Sequence, residues 1–579
     1  MDKDFGPQRP SDLDRCKYTL YKNGEPPKKG YADPRNVEFA WTDELCESKG
    51  SEHRPMFVDD GASSNDCKQG NLGDCWLISA MSVLAERDEL LVGGRRGMEY
   101  EKDMIIDKII ADLLSKGVYP PIFHRFRAIG LFVIRLFVEF QWVYVIVDER
   151  LPVDSKTRKP IFGRCRNVHE MWVSLIEKAF AKVYGCYENL ISGYVDEGIN
   201  HLTAFPSEKI LIKNETTGVF PHKTIEQHYG GSEGLWKLLM ERDNEGCLMG
   251  CSIKGQQGGP LILEGKDSGL IKNHAYSLND IIELDDPTSK GAKLRLLRLR
   301  NPWGKSEWKG AWSSNSEEMT THKAHIQAYI NTLPPDEQFD MEADDGIFFI
   351  HYDDWKDNFT ALFVNIDFPE NWTGLRFHSK WTKSNAGGLP KRYENDHLER
   401  FAKNPQFMIS PEQDMEVFFS MAQIGGRLQS DSQYFTYPFS ETIKYGAVSV
   451  FKLPKEEKYL SKFSKEDLVF MSPIKLEKEN AGRCLLKADS NYVIVCSLEK
   501  AGSKNEFYLS VYFDQPLRNV NCKRVFHPLD KNKGKEEVLP ILIPEEAEKL
   551  VNRTPLWKIQ LVKESLAFMI TDEDEGVQM

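Results

Sequence analysis

The sequence predicts an α+β chain: a helix-rich half, a strand-rich half, then an antiparallel β-sandwich. Three observations carry this. Apolar residues recur at helical spacing in "DCWLISAMSVLAERDELL", "MIIDKIIADLLSKG", "HEMWVSLIEKAFAKVYG" and "GLWKLLMERDNEG". From Cys247 to about residue 365 the text turns to strand formers, in "CLMGCSI", "HAYSLNDIIEL", "LRLLRLRNPWG" and "GIFFIHYDDW". Between 370 and 515, "DMEVFFSMAQIG", "AVSVFKL", "NYVIVCSL" and "NEFYLSVYFD" are parted by turn clusters, which is the spacing of a sandwich.

In chain order, residues 1–54 are polar and broken by Pro and Gly, so they read as a loosely structured arm. The start, "MDKDFGPQRPSDLDRCKY", has no apolar core of the kind a signal peptide needs. Asp74 precedes the first helix where a capping carboxylate fits. "GLFVIRLFVEFQWVYVIVDERLP" is the most apolar run, but Arg135, Glu139 and Gln141 interrupt it, so it reads as two strands with a tight connection. The helix at 169–185 is amphipathic and buried. After 515 come strand-like pieces, one short helix ("PEEAEKLVN") and an acidic end, "TDEDEG".

The chain of 579 residues is long enough for roughly three to four domains. A net charge of −13 argues against nucleic-acid binding, which needs a basic face. The eleven cysteines are scattered and odd in number, with no CxxC pair; Cys247 and Cys251 have no second ligand pair nearby. This is the pattern of a reducing compartment rather than a disulfide framework or a zinc site, and it predicts a cytoplasmic protein.

One cysteine stands apart. In "QGNLGDCWLISA", Cys75 opens a helix, whose unsatisfied N–H groups favour thiolate over thiol. The plain alternative is a small buried hydrophobe. A nucleophilic thiol needs a base, a group that orients the base, and an oxyanion donor. "KNHAYSL" offers His274, and "LRNPWG" offers Asn301, whose side-chain oxygen can hold the imidazole N–H. Trp303 can shield that bond from water. Gln69, six residues before Cys75, can donate to an oxyanion together with the Cys75 backbone N–H. Each has a plain alternative: a core histidine, an Asn-Pro turn starter, a loop glutamine.

In this order, "QGNLGDCWLISA", "NHAYSL" and "RNPWG" resemble the three active-site blocks of the calpain family. The hairpin text at 130–152 and "LIEKAFAKVYGCYENL" are similar to calpain core sequence, and "SNAGG", "NPQFMI" and "NYVIVCSLEKAGSKNEFYLSVY" resemble the family's C2-like β-sandwich. The resemblance implies a papain-like core of two subdomains. It divides the chain into an arm (1–54), subdomain 1 with the catalytic cysteine (55–204), subdomain 2 with the histidine and asparagine (205–365), the sandwich (366–515) and a C-terminal extension (516–579). It also implies activation by calcium at two sites. The first takes the Asp59 and Gly61 carbonyls with the Asp66 and Glu170 carboxylates, all hard oxygen donors. At the second, Glu307 and Asp345 match, but Ser314 and Ile347 stand where acidic ligands are usual. "LTAFP", 202–206, replaces a glycine pair at the subdomain junction, and the sandwich lacks the long acidic loop. "DKNKGKEE" lacks the glycine and glutamate of an EF-hand, so no EF-hand small subunit is expected.

These features predict a calcium-dependent cysteine endopeptidase that acts on protein substrates by limited proteolysis. Two alternatives remain: a catalytically silent scaffold, and a calcium-dependent lipid- or protein-binding protein that contacts membranes peripherally through the sandwich.

Overall fold

The computed structural model describes residues 19–47, 56–92, 117–212, 230–425, 443–526 and 538–541, with short breaks inside these spans. The expected helices at 104–117 and 544–552, the acidic end and "DKNKGKEE" lie outside or almost wholly outside the described residues. The architecture is mixed α+β, as the sequence predicts, and the chain forms two compact units. One comprises residues 1–367, 422–447 and 472–482; the other comprises 368–421, 448–471 and 483–579.

The first unit is built around a short helix, α1 (Cys75–Leu84), with every residue after Cys75 buried. An all-round apolar helix must be enclosed on every side. Against it pack α2 (Trp172–Tyr184) and α3 (Val195–Thr203). The approach of α3 depends on Gly198, where a Cβ would lie 2.7 Å from the Ala80 Cβ. α3 ends on Ala204, which takes a left-handed φ of 63° without being glycine. That residue lies inside "LTAFP", so alanine here carries a strained conformation that a glycine adopts freely.

The apolar run near 140 forms a hairpin, β1 (Leu131–Val138) and β2 (Gln141–Asp148). Glu139 and Phe140 form its two-residue loop with φ of 47° and 65°, the positive values that a right-twisted hairpin turn requires. Among the described residues no helix is long and apolar enough to cross a membrane.

The strand-rich half forms one six-stranded sheet from β3 (Ser207–Leu211), β4 (Leu248–Ile253), β5 (His274–Asp285), β6 (Lys293–Arg300), β7 (Ile347–His351) and β8 (Ala361–Asn365), in the order β7-β6-β5-β4-β8-β3. The helix read at 234–246 is α4 (Gly231–Asn244). One helix was not expected: α5 (Glu317–Ile330) interrupts text read as strands. Its start signal is nevertheless present, since the Ser316 side chain accepts the Met319 N–H at 3.0 Å ahead of two glutamates.

The second unit contains the expected sandwich. Its strands are β9 (Thr373–Trp381), β10 (Gln406–Pro411), β11 (Met415–Gln423), β12 (Gly446–Leu453), β13 (Leu468–Met471), β14 (Glu479–Leu486), β15 (Asn491–Leu498), β16 (Asn505–Phe513), β17 (Val520–Val525) and β18 (Val538–Ile541). They form two five-stranded sheets, β14-β11-β16-β9-β18 and β13-β12-β15-β10-β17. Aromatic contacts such as Trp381 on Phe507, with centroids 4.1 Å apart, fill the space between the inner faces.

Candidate active site

Two local structures present the reacting groups. A loop, residues 68–74, delivers Cys75 to the start of α1. The loop is clamped on one side by pairing with residues 161–164: Lys68 and Arg164 exchange both backbone hydrogen bonds, at 2.9 and 3.0 Å, and the Asn71 N–H donates to the Ile161 carbonyl at 2.6 Å. Gly70 is required here, because a Cβ would fall 2.2 Å from the Phe162 carbonyl oxygen. On the other side, the Gln69 N–H donates to the Pro302 carbonyl at 3.0 Å.

The antiparallel pair β5–β6 delivers His274 and Asn301. His274 opens β5 and Asn301 follows the end of β6, so the antiparallel register returns one to the side of the other. Both are buried. The His274 Nε2 lies 2.9 Å from the Asn301 Oδ1, which fixes that nitrogen as the protonated one and leaves Nδ1 as the base. Asn301 is itself held: its Nδ2 donates to the Ser306 carbonyl at 2.9 Å, and its Oδ1 also accepts the Trp303 N–H at 3.1 Å. The Trp303 ring lies 4.6 Å from the imidazole, centroid to centroid, tilted by 46°.

The halves meet along α1 and β5. The Ser277 hydroxyl donates to the Ser79 carbonyl at 3.2 Å. At the start of both elements, the Ala275 N–H, next to His274, lies close enough to the Cys75 sulfur to favour its ionised form. Packing of α1 on β5 thus brings the helix that carries Cys75 against the strand that carries His274.

The electrostatics differ from the sequence expectation. Burial pushes the Cys75 thiol up to about 11; the Ala275 N–H opposes this and the neighbouring Asp74 adds to it. Burial draws His274 down to about 4, against the Asn301 bond. Desolvation thus works against the positive helix start at Cys75, and at both groups it favours the neutral form.

Two further expectations are met differently. Asp74 sits at the N-cap, but its side chain makes no cap bond; its main-chain carbonyl accepts the Leu77 and Ile78 N–H groups at 2.9 and 3.2 Å, and its carboxyl turns into the interior. The Gln69 side-chain amide donates to the Leu72 carbonyl at 2.7 Å, so an oxyanion must compete with that bond.

At the first candidate cation site, pairing of Met56 with Glu170 brings the loop at 56–59 beside the start of α2. The Asp59 N–H donates to the Glu170 carboxylate at 2.9 Å. Gly61 has a φ of 105°, and Asp66 accepts the Ser63 N–H at 2.7 Å. The Asp66 and Glu170 charges both act on the buried Cys67 and Cys165 thiols. Two carboxylates with loop carbonyls are a donor set that suits calcium. At the second site, Glu307 already accepts from the Ser314 hydroxyl and the Gly346 N–H, each at 3.3 Å, and Asp345 accepts the Ile347 N–H at 3.0 Å. Ile347 brings no side-chain oxygen. Among the described residues no three His, Cys, Asp or Glu side chains gather at a metal-sized point, so either site must draw on main-chain oxygens.

Sequence reasoning missed two residues that shape this site. Arg300, fully buried beside Asn301, donates to the carbonyl of Cys67 on the loop of the first cation site. Glu177, in the middle of α2, donates nothing as a carboxylate, yet faces Asp74. A helical text gives no sign that a Glu-Lys pair points inward.

Residues 16–365 match the family model described as Calpain family cysteine protease, and residues 377–512 match Calpain large subunit, domain III. The chain is 28% identical over 413 residues to the calpain-type cysteine protease DEK1 of Arabidopsis thaliana, covering 70% of this chain and 16% of that protein. It is 29% identical over 390 residues to calpain-8 of Rattus norvegicus, covering 66% of this chain and 46% of the relative. It is also 29% identical over 393 residues to calpain-5 of Caenorhabditis elegans, covering 64% and 55%. The matched region thus spans about half the length of these relatives or less.

Proposed function

Because this chain belongs to the calpain family of cysteine proteases, we propose that it is a calcium-dependent cysteine endopeptidase of the cytoplasm that cleaves protein substrates to a limited extent. Cys75 is the nucleophile. His274 takes the thiol proton on Nδ1 and later returns it to the leaving amine. Asn301 holds the ring in the tautomer that leaves Nδ1 basic, and Trp303 keeps water from the His274–Asn301 bond. The Cys75 backbone N–H and the Gln69 amide, once released from Leu72, stabilise the oxyanion. The observation that carries this reading is the His274–Asn301 hydrogen bond at the start of β5, the strand on which the Cys75 helix packs.

The division into residues 55–204 and 205–365 is part of the proposal, with Cys75 from the first subdomain and the His-Asn pair from the second. Asp59, Gly61, Asp66 and Glu170 would hold calcium at the first site, and Glu307 with Asp345 at a weaker second one. When bound, the ion supplies positive charge that draws loop and helix start together. Arg300 then links that loop to the Asn301 strand through its bond to Cys67.

The test is a casein cleavage assay over a calcium titration, with Cys75→Ala as control. Calcium-stimulated cleavage that disappears in the variant is expected. Cleavage by the variant within about tenfold of the parent would remove Cys75 from its role, since loss of a nucleophile costs far more. A folded parent without cleavage at any calcium level, unlabelled by a thiol-reactive peptide epoxide, would favour a silent scaffold.

A further inference from the structure

Immediately before Cys75 lies a carboxyl that the reaction does not use. Asp74 is fully buried, and neither of its side-chain oxygens has an N–H or O–H donor at hydrogen-bonding geometry. Glu177, on α2, and the Gln69 amide are within hydrogen-bonding reach of it. Glu177 is 1% exposed, and its two oxygens share one donor, the Gly163 N–H, at 3.0 Å each. Two ionised carboxylates cannot face each other in a dry interior, because each desolvated charge costs several kcal/mol and the pair repels. A carboxyl can donate to another only as the acid.

We propose that Asp74 and Glu177 hold a single proton between them, Glu177 as the acid and Asp74 as the carboxylate, and that this pair positions the turn bearing Cys75 and the Gln69 amide.

The surroundings support this. Burial lifts both groups above the usual carboxylate range, and for Glu177 the Asp74 charge adds to it. Arg164 acts on Glu177 from the clamping segment, and the Tyr187 hydroxyl faces both carboxyls. On the loop side, the Tyr31 hydroxyl and the Cys75 thiol feel the Asp74 charge. Only Arg164 among these is a cation, which is insufficient to ionise both. The pair is also a mechanical joint. Glu177 grips Gly163 within the 161–164 segment, which clamps the loop ahead of Cys75, while Asp74 anchors the other end of that loop. A Cβ at Gly163 would lie 2.9 Å from the Ile78 Cδ1 and 3.1 Å from the Glu177 Oε1, so a side chain there would push on the Glu177 carboxyl.

The shared proton does not depend on the proposed protease activity; only its effect on Cys75 does, and two measurements keep these apart. The first is infrared spectroscopy of the Cys75→Ser protein at about pH 8, where ordinary carboxyls are ionised. The carbonyl stretch of one protonated carboxylic acid is expected, and it should vanish in both Glu177→Gln and Asp74→Asn. Each amide can donate to the remaining carboxylate, so either variant suffices if the other fails to fold by circular dichroism. Subtracting variant from parent removes any signal from Asp196 and Asp243, which burial lifts to about 7. Superimposable spectra of parent and variants would overturn the proton sharing.

The second measurement is alkylation of Cys75 by iodoacetamide, followed on its tryptic peptide. Both variants keep one negative charge, but Glu177→Gln leaves it beside Cys75 and Asp74→Asn moves it onto α2. Below the thiol midpoint, Asp74→Asn should react about threefold faster or more than Glu177→Gln. Equal rates would overturn the assignment of the charge to Asp74 and of the proton to Glu177.

Discussion

The two halves of the candidate active site are built on opposite principles. Around His274, the named polar groups meet donors or acceptors from β5, β6 and the segments that follow β6: imidazole to Asn301, Asn301 to Ser306 and Trp303, Glu307 to Ser314 and Gly346, Asp345 to Ile347. Around Cys75, buried carboxyls face one another, as Asp74 and Glu177 do, and Asp66 and Glu170 lie close enough to act on the same two thiols. A satisfied network is rigid on its own. A region that concentrates buried negative charge needs something positive: a proton at one place and, on our proposal, a divalent cation at the other. The site is therefore half preformed, with the adjustable half on the side of the nucleophile.

This contrast is broken or sharpened most directly at Asp66. If the Cys75 half is the one that needs a cation, Asp66→Ala should lower cleavage at saturating calcium by more than about tenfold, close to the calcium-free rate, because affinity follows ligand charge and count. Circular dichroism should show an intact fold, since Asp66 ends a single short 3-10 turn and its carboxylate accepts from the neighbouring Ser63 N–H and hydroxyl. Full activation in the variant would contradict the contrast at its root.

Next comes the preformed half. Asn301→Ala removes the imidazole's orienting partner but transfers no proton, so kcat/KM should fall by about tenfold, well short of the loss in Cys75→Ala. A loss as complete as that of the nucleophile would mean that Asn301 also holds up the segment after β6, where its Nδ2 donates to the Ser306 carbonyl at 2.9 Å.

The preformed half was also the legible one. His274 and Asn301 are chemically typed residues at the ends of strands whose alternation is plain in the text, and antiparallel pairing brings such ends together. The adjustable half was legible only where residues lie close in sequence: Gln69, Cys75 and the loop at 59–66. Glu177 escaped because its text, "SLIEKAF", gives a helix with two adjacent charges, which ordinarily face water. Here Lys178 is equally buried, bonded to Asp148 at 2.6 Å, and only tertiary packing reveals either fact. The surroundings of the thiol were hidden for a related reason. A helix start offers partial positive charge, but desolvation of Cys75 and the adjacent Asp74 oppose it, and neither is readable from position alone. The helix α5 was missed although Ser316 announces it, because the surrounding strand text set the frame.

The smallest expected effect lies at the second candidate cation site. Asp345 is buried at the start of β7, and its carboxylate accepts the N–H of Ile347, the residue that stands where a further acidic ligand is usual. Glu307 is bridged to Gly346 and Ser314 in the same manner. These carboxylates have exchanged water for fixed protein donors, and a cation would have to break those bonds while gaining only two charged ligands. Calcium affinity there should be far below that of the first site. Asp345→Asn keeps an oxygen for the Ile347 N–H and removes the charge, so it should shift the calcium midpoint of cleavage by no more than about twofold, against a collapse of activation for Asp66→Ala. Calorimetry on the full chain should then resolve one clear binding event. A midpoint moved as far by Asp345→Asn as by a charge-removing change at Asp66 would mean that main-chain oxygens replace what Ser314 and Ile347 lack, and that the half around His274 is as dependent on a cation as the half around Cys75.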